Sequence, residues 1–313
     1  MPDPNKPEVT LKLAIRANSR IGFGVAHEDA DLLVIDKPAG VVVQPGKGHA
    51  SDSLLNGLFV KYGKLLHNLG ERRDFGLLHR LDKDTSGLLL VAKMPSAYDQ
   101  LRRDFEDRKI DKEYLTLVIG IPKKPQGVIQ ARLKEVEVPA TGGPEKWEGQ
   151  GSHHVGQRLK RATHTAKYGG GTIKKVMVSN QGQEAISAYQ VLAIAKTKTP
   201  GKPPVDVALV RVRIKTGRLH QIRAHMLFLG TPVIGDDIYT LAGPKPGSNV
   251  PSPTLLPPRL CLHAAHLGFK HPMTGKWLHI ESPLPADLAA YARKLGLKVA
   301  ANAEPTAASE PRR

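Results

Sequence analysis

Cysteine is almost absent. Cys261 is the only one in 313 residues, so no intrachain disulfide can form, and a reducing compartment fits. Aromatic residues make up 5%, too few for a binder built mainly on a wide stacking surface. No apolar run approaches the roughly 20 residues that a membrane-spanning helix needs. The opening Met1-Pro2-Asp3-Pro4-Asn5-Lys6-Pro7 lacks the apolar stretch of a secretory signal. No Walker or dinucleotide-binding glycine motif is evident, and the histidines lack familiar ligand spacing. Neither a cofactor nor a metal is expected. Acidic residues are also scarce: 29 Asp+Glu stand against 46 Lys+Arg, a formal charge of +17. That balance favours a polyanionic partner, such as RNA, DNA or an anionic membrane surface.

What is present centres on His79-Arg80-Leu81-Asp82-Lys83-Asp84-Thr85-Ser86-Gly87, which runs straight into an apolar Leu88-Leu89-Leu90-Val91-Ala92. The apolar run has the length of a buried strand, so the polar loop is mounted on a rigid support. Asp82 lies between Arg80 and Lys83, cations that favour a carboxylate over a carboxylic acid. Such a group can act as nucleophile, general base or metal ligand. The plainer reading is a surface turn in which Asp and Ser bond their own backbone.

The rest of the chain alternates strands and helices. Residues 31–36 read as a buried strand stopped by Lys37-Pro38-Ala39-Gly40, with Lys37 and Pro38 structural. Leu54, Leu55, Leu58, Phe59 and Tyr62 repeat at helical spacing, with Gly63 expected to end that helix. Ser96 is placed as the cap of a second helix, with Asp99 three residues on. Residues 112–120 and 128–133 suit strands. Two long strands follow at 184–195 and 205–215. In the second, Val210, Val212 and Ile214 alternate with Arg211, Arg213 and Lys215, predicting one core face and one basic face. Residues 219–229 form a helical pattern stopped by Gly230, with His220 and Arg223 on one face. A hairpin is predicted over 260–269 and 276–281, and a closing helix over 287–295. The domain reading is a flexible segment at 1–20, one catalytic domain at 21–298 and a disordered tail at 299–313. The domain carries a basic insertion at about 138–175. Between 151 and 175 that insertion has Arg158, Lys160, Arg161, Lys167, Lys174 and Lys175 and no acid. Two compatible readings compete, a disordered loop and an RNA-binding arm that orders on contact, and the single-sign charge favours the second as the function.

The central motif resembles the signature of the RluA family of pseudouridine synthases: His79-Arg80-Leu81-Asp82, then Thr85-Ser86-Gly87-Leu88, then Ala92-Lys93. The resemblance continues from about residue 26 to 288. Lys37-Pro38-Ala39-Gly40 matches a first family motif, with Gln44 where His is usual. Lys112-Glu113-Tyr114 matches a Lys-x-Tyr motif. Gly217-Arg218-Leu219-His220-Gln221-Ile222-Arg223-Ala224-His225 matches a third, trailed by Gly230-Thr231-Pro232-Val233-Ile234-Gly235-Asp236.

The resemblance implies a mixed α/β fold with a largely antiparallel sheet, flanking helices and an active-site cleft. It implies isomerisation of specific uridines in ribosomal RNA, or next in transfer RNA, without cofactor. It makes Asp82 the catalytic carboxylate, Tyr114 the group that takes the C5 proton and stacks on the base, and Arg223 the partner of Asp82. His79, Arg80, Thr85, Lys112, Arg218, His220 and Gln221 are expected to bind substrate. The family's usual N-terminal RNA-binding domain has no room in residues 1–20. A cytoplasmic monomer is expected. One rival is an inactive RNA-binding protein derived from such an enzyme, disfavoured because Asp82, Tyr114 and Arg223 are all present. A glycosidase or a metal-dependent nuclease using Asp82 and Asp84 is disfavoured by the charge and by the missing ligand set.

Overall fold

The computed structural model describes residues 15–46, 48–139, 172–197, 204–240 and 257–299. Most of the N-terminal segment, residues 140–171 of the basic insertion, much of the 241–258 loop and the tail lie outside the described residues.

Among the described residues ten strands form one sheet: β1 (Gly24–Glu28), β2 (Leu32–Lys37), β3 (Ser86–Ala92), β4 (Asp111–Ile119), β5 (Gln126–Pro139), β6 (Thr172–Val178), β7 (Gln183–Lys196), β8 (Asp206–Ile214), β9 (Leu262–Lys270) and β10 (Trp277–Glu281). Their order is β1-β2-β3-β9-β4-β8-β7-β5-β6, with β10 on β9. Among the described residues only β3 and β9 pair in parallel, over Ser86↔His263 and Gly87↔Ala264. The mixed, largely antiparallel sheet implied by the resemblance is the one found.

Alternation along the strands divides the core between the two faces of the sheet. From β4, Tyr114 and Val118 join the large cluster beneath helices α1 (Leu54–Leu69) and α2 (Pro95–Glu106). Leu115 and Leu117 face the other way, onto a cluster with Leu288, Tyr291 and Cys261. Helix α4 (Ala286–Lys294) covers that side. Cys261 is fully buried, and burial pushes its thiol up to about 12. Between these two helices in sequence, α3 (Gln221–Phe228) lies against β5, β6 and β7 through a third cluster that includes Leu133, Val176 and Ala224. Among the described residues no helix is long and apolar enough to cross a membrane.

Three expectations are corrected. Helix α1 starts behind Ser53, where Ser53 and Asn56 cap one another reciprocally, and it runs through Gly63 to end at Gly70. An interior glycine costs a helix only about 1 kcal/mol, and Leu66 and Leu69 continue the buried stripe. Helix α2 starts at Pro95 behind Met94 rather than at Ser96, because proline fits the first helical position, and Asp99 pairs with Arg73 instead of capping. Arg211 and Arg213 do not form a free basic face. The β4–β8 register sets Glu113 opposite Arg213, and the buried Glu113 carboxylate binds both arginines.

Candidate active site

The loop before β3 is fastened from below. Gly87 has φ +112°, and a Cβ there would fall on the Ala264 carbonyl oxygen, so β3 can approach β9 only with glycine at this point. Next to it, Ser86 Oγ lies 3.0 Å from His263 Nδ1, and His263 Nε2 lies 3.1 Å from the Ser282 carbonyl. The Ser282 hydroxyl donates to Asp36 at 2.7 Å. Lys37 is fully buried and its ammonium donates to the carbonyls of Pro38, Val41 and Lys83 at 2.8, 2.9 and 3.1 Å. Burial lowers its pKa to about 8. The Gly40 N–H also donates to the Lys83 carbonyl, at 2.8 Å. Lys37 thus ties the turn after β2 to the loop that carries Asp82, in line with a structural role.

Asp82 and Arg223, 141 residues apart, meet: Nη1 donates to Oδ2 at 3.2 Å. Arg223 is held more firmly elsewhere. Its Nε and Nη2 donate to Oδ2 and Oδ1 of Asp236 at 2.7 and 2.8 Å, and its guanidinium lies 5.1 Å from the centre of the Tyr239 ring. Burial opposes the charge on Arg223, and the paired Asp236 carboxylate outweighs it, so the guanidinium is held more firmly protonated than usual. His220 flanks α3 rather than lying within it, in a left-handed conformation with φ +48°. Its Nε2 is 3.9 Å from Asp82 Oδ2, and its Nδ1 is 3.2 Å from the Tyr239 hydroxyl. Tyr114 is buried. Desolvation first, and then the charge of Asp82, raise its pKa, so it stands as a neutral phenol.

An open cleft of about 1000 Å³ runs beside these groups, lined by His79, Arg80, Asp82, Lys112, Tyr114 and Arg218 among others. Lys112 is half-buried in its lining, with its ammonium 5.3 Å from the Phe105 ring centre. Burial, with a smaller push from Lys215, lowers its pKa to about 8. Arg80 is exposed at the rim. Arg218 is also exposed, with Nε donating to the Glu184 carbonyl at 3.2 Å.

Two of the other predicted substrate contacts, His79 and Gln221, have structural partners. His79 Nε2 accepts the Leu90 N–H at 3.0 Å, its ring lies on Phe105, and burial drops its pKa to about 3. Gln221 is buried, and its amide is fully used. It accepts from Thr216 Oγ1 and the Arg218 N–H at 2.7 and 3.1 Å, and donates to the Ile186 carbonyl and Ser187 Oγ at 3.0 and 2.9 Å. Thr85 is 2% exposed and its backbone N–H closes the turn onto the Asp82 carbonyl at 3.1 Å, while its hydroxyl has no hydrogen-bond partner among the described residues.

Asp236 and Tyr239 escape the sequence reading as site residues. The available signal is the Gly235-Asp236 pair at the end of the third motif. Among the described residues, Asp29, Asp31 and His271 form the one group with metal-ligand proximity. Hydrogen bonds account for it. His271 Nδ1 accepts the N–H groups of Met273 and Thr274, which leaves the proton on Nε2 to meet Asp29 at 3.1 Å.

Comparison with known proteins identifies the family. The profile described as RNA pseudouridylate synthase matches residues 31–228. An uncharacterized RNA pseudouridine synthase of Aquifex aeolicus is 33% identical over 267 residues, which cover 85% of this chain and 70% of that one. Ribosomal large subunit pseudouridine synthase D of Pseudomonas aeruginosa is 35% identical over 272 residues, covering 85% and 70%. The structure of human RNA pseudouridylate synthase domain containing 4 shares the fold, with a TM-score of 0.57 at 24% identity over 88% of this chain and 94% of its own. By profile and by relatives, the chain belongs to the RNA pseudouridylate synthase family, among RluA-type members, and is an RNA pseudouridine synthase, an isomerase.

Proposed function

We propose that this enzyme isomerises uridine in large-subunit ribosomal RNA, with Asp82 as the reacting carboxylate. The observation that carries the residue assignment is the 3.2 Å contact between Asp82 and a buried, firmly protonated Arg223 beside an open cationic cleft. The target RNA is inferred from relatives at 33 and 35% identity whose names specify the ribosomal large subunit.

The reaction breaks N1–C1′, turns the uracil and joins C5 to C1′. The C5 proton leaves and N1 gains one, so atoms balance without a cofactor. A flipped nucleotide must enter the cleft and meet a carboxylate near its sugar. Asp82 supplies that carboxylate, and Arg223 is its positioning partner. The buried Tyr114 ring is set to pack against the base. As a neutral phenol it offers an O–H first, so accepting the C5 proton would require it to shed its own. Lys112, cationic at neutral pH, and the exposed Arg80 and Arg218 suit the phosphates around the target.

The test uses host cells lacking the gene, complemented with wild type or Asp82→Asn, followed by pseudouridine mapping. Wild type is expected to restore modification in large-subunit ribosomal RNA, and the Asn variant to restore none at equal folded abundance. Asn preserves the shape and removes the charge. Turnover by Asp82→Asn would defeat the residue assignment. Restoration confined to transfer RNA would defeat the target.

A further inference from the structure

We propose that Tyr239 fixes the tautomer of His220 so that an Nε2–H faces Asp82, making both of them positioning residues for the reacting carboxylate. The chain of hydrogen bonds begins on β6. The Val176 N–H donates to the Tyr239 hydroxyl oxygen at 2.7 Å. Strand β6 ends the sheet order, so its outward N–H groups have no further strand to bond, and Tyr239 takes one of them. Tyr239 is 3% exposed, and its own hydroxyl proton needs an acceptor. His220 Nδ1, at 3.2 Å, is the acceptor within reach among the described residues.

A neutral imidazole that accepts at Nδ1 carries its proton on Nε2. His220 is neutral on separate grounds: burial first, and then the neighbouring Arg223, depress its pKa. The protonated nitrogen is the one that lies 3.9 Å from Asp82 Oδ2. The same oxygen takes Arg223 Nη1 at 3.2 Å, so two fixed donors converge on one side of the carboxylate. Asp82 itself lines the cleft. The Tyr239 ring also supports the Arg223 guanidinium, and Asp236 Oδ1 accepts the N–H groups of Ile238 and Tyr239 at 2.9 Å each. One short turn thus arranges both groups that address Asp82. The left-handed backbone at His220 is strain of the kind that persists where surroundings over-determine a functional residue. The catalytic consequence rests on Asp82 being the reacting carboxylate, whereas the tautomer does not.

The experiment is long-range proton–nitrogen NMR on the full chain with nitrogen-labelled histidine, with the His220 signals identified by their loss in His220→Gln. Wild type is expected to show the Nε2–H pattern for His220. Tyr239→Phe keeps the ring under Arg223 and removes the hydroxyl. It should release the tautomer and lower kcat about tenfold, the worth of one modest hydrogen bond, with KM for RNA unchanged. An Nδ1–H His220 in wild type overturns the proposal, and that spectrum decides even if the Phe variant does not fold. A tautomer that shifts while kcat stays at the wild-type value overturns the coupling to Asp82. Full activity of Asp82→Asn would instead defeat the site assignment and leave the tautomer standing.

Discussion

Lys112 carries a charge into a partly buried place without a carboxylate pairing with it among the described residues. Its folded pKa of about 8 lies below the ordinary lysine value of 10.5, so the folded chain sheds this proton first. Below about pH 7 the cation is fully present for phosphate, and as pH rises through about 8 it is lost. RNA affinity should therefore fall between pH 7 and 9, and Lys112→Arg should flatten that fall. The sign for folding is opposite. Between about pH 8 and 10.5 the unfolded chain holds a proton that the folded one has released, so this group's contribution to stability improves with rising pH. Lys112→Met should raise stability at pH 7 by about 1–2 kcal/mol while weakening RNA binding. Denaturant melts paired with binding titrations at both pH values check the two halves. A Met variant that loses stability would show the ammonium to be structural.

Arg223 makes the opposite case. Its Asp236 partner has a fully buried side chain, so Arg223→Ala leaves a carboxylate stranded and should cost about 3–5 kcal/mol. Arg223→Ala with Asp236→Ala should recover much of that stability and none of the activity, a comparison made by denaturant melts alongside pseudouridine assays. Equal stability in the single and double variants would remove Asp236 as the main partner. The sequence made Asp82 and Arg223 legible because each lies inside a dense motif. Asp236 was not, because its pairing with Arg223 depends on how the turn after α3 folds back, and a Gly-Asp pair alone reads as an ordinary turn. Gln221 and His79 make structural bonds that their motifs do not announce, and His79 also lines the cleft. A polar side chain in a motif looks the same whether it faces the cleft or props up the loop beneath it.

At the level of elements, β3 is the piece that holds the motif loop in place, and its approach to β9 is where substitution should hurt most. Gly87→Ala adds both a positive-φ penalty and a clash with backbone, which cannot swing aside as a side chain can. The expected loss is about 3 kcal/mol or more, read from the denaturation midpoint. A near-neutral Gly87→Ala would show that β9 shifts freely. Eight of the ten described strands were readable from alternating or continuous apolar runs, but β1 and β6 were not: β1 is short and mostly exposed, and β6 begins inside the stretch read as the basic insertion. Helix ends were less so. Gly63 carries the residue type of a terminator, but the buried leucines beyond it carry the helix on. At α3 the apolar spacing reaches back to Leu219, yet the left-handed turn at His220 holds the start to Gln221. Hydrophobic spacing does not report that backbone choice.

For the whole molecule, the excess of positive charge is a statement about salt. Residues 151–171 contribute Arg158, Lys160, Arg161 and Lys167 without an acid. If these contact single-stranded phosphates, replacing 151–171 by a Gly/Ser linker should reduce the slope of log K against log salt by roughly 0.7 per contact, and by at most about 3. Phosphate contacts hold RNA without reading it, so the effect should be independent of sequence. Binding isotherms at several salt concentrations check it, and parallel lines for the two proteins would deny the segment a role in holding RNA.

The buried thiol of Cys261 has a practical corollary. A maleimide reacts with a thiolate it can reach, and here the lone cysteine is both enclosed and, with its pKa at about 12, almost wholly protonated at neutral pH. The natural chain is thus ready for site-directed labelling. A cysteine introduced at exposed Glu106, which lines the cleft without a proposed RNA contact, would take a fluorophore alone, and the arrival of RNA could then be timed by fluorescence.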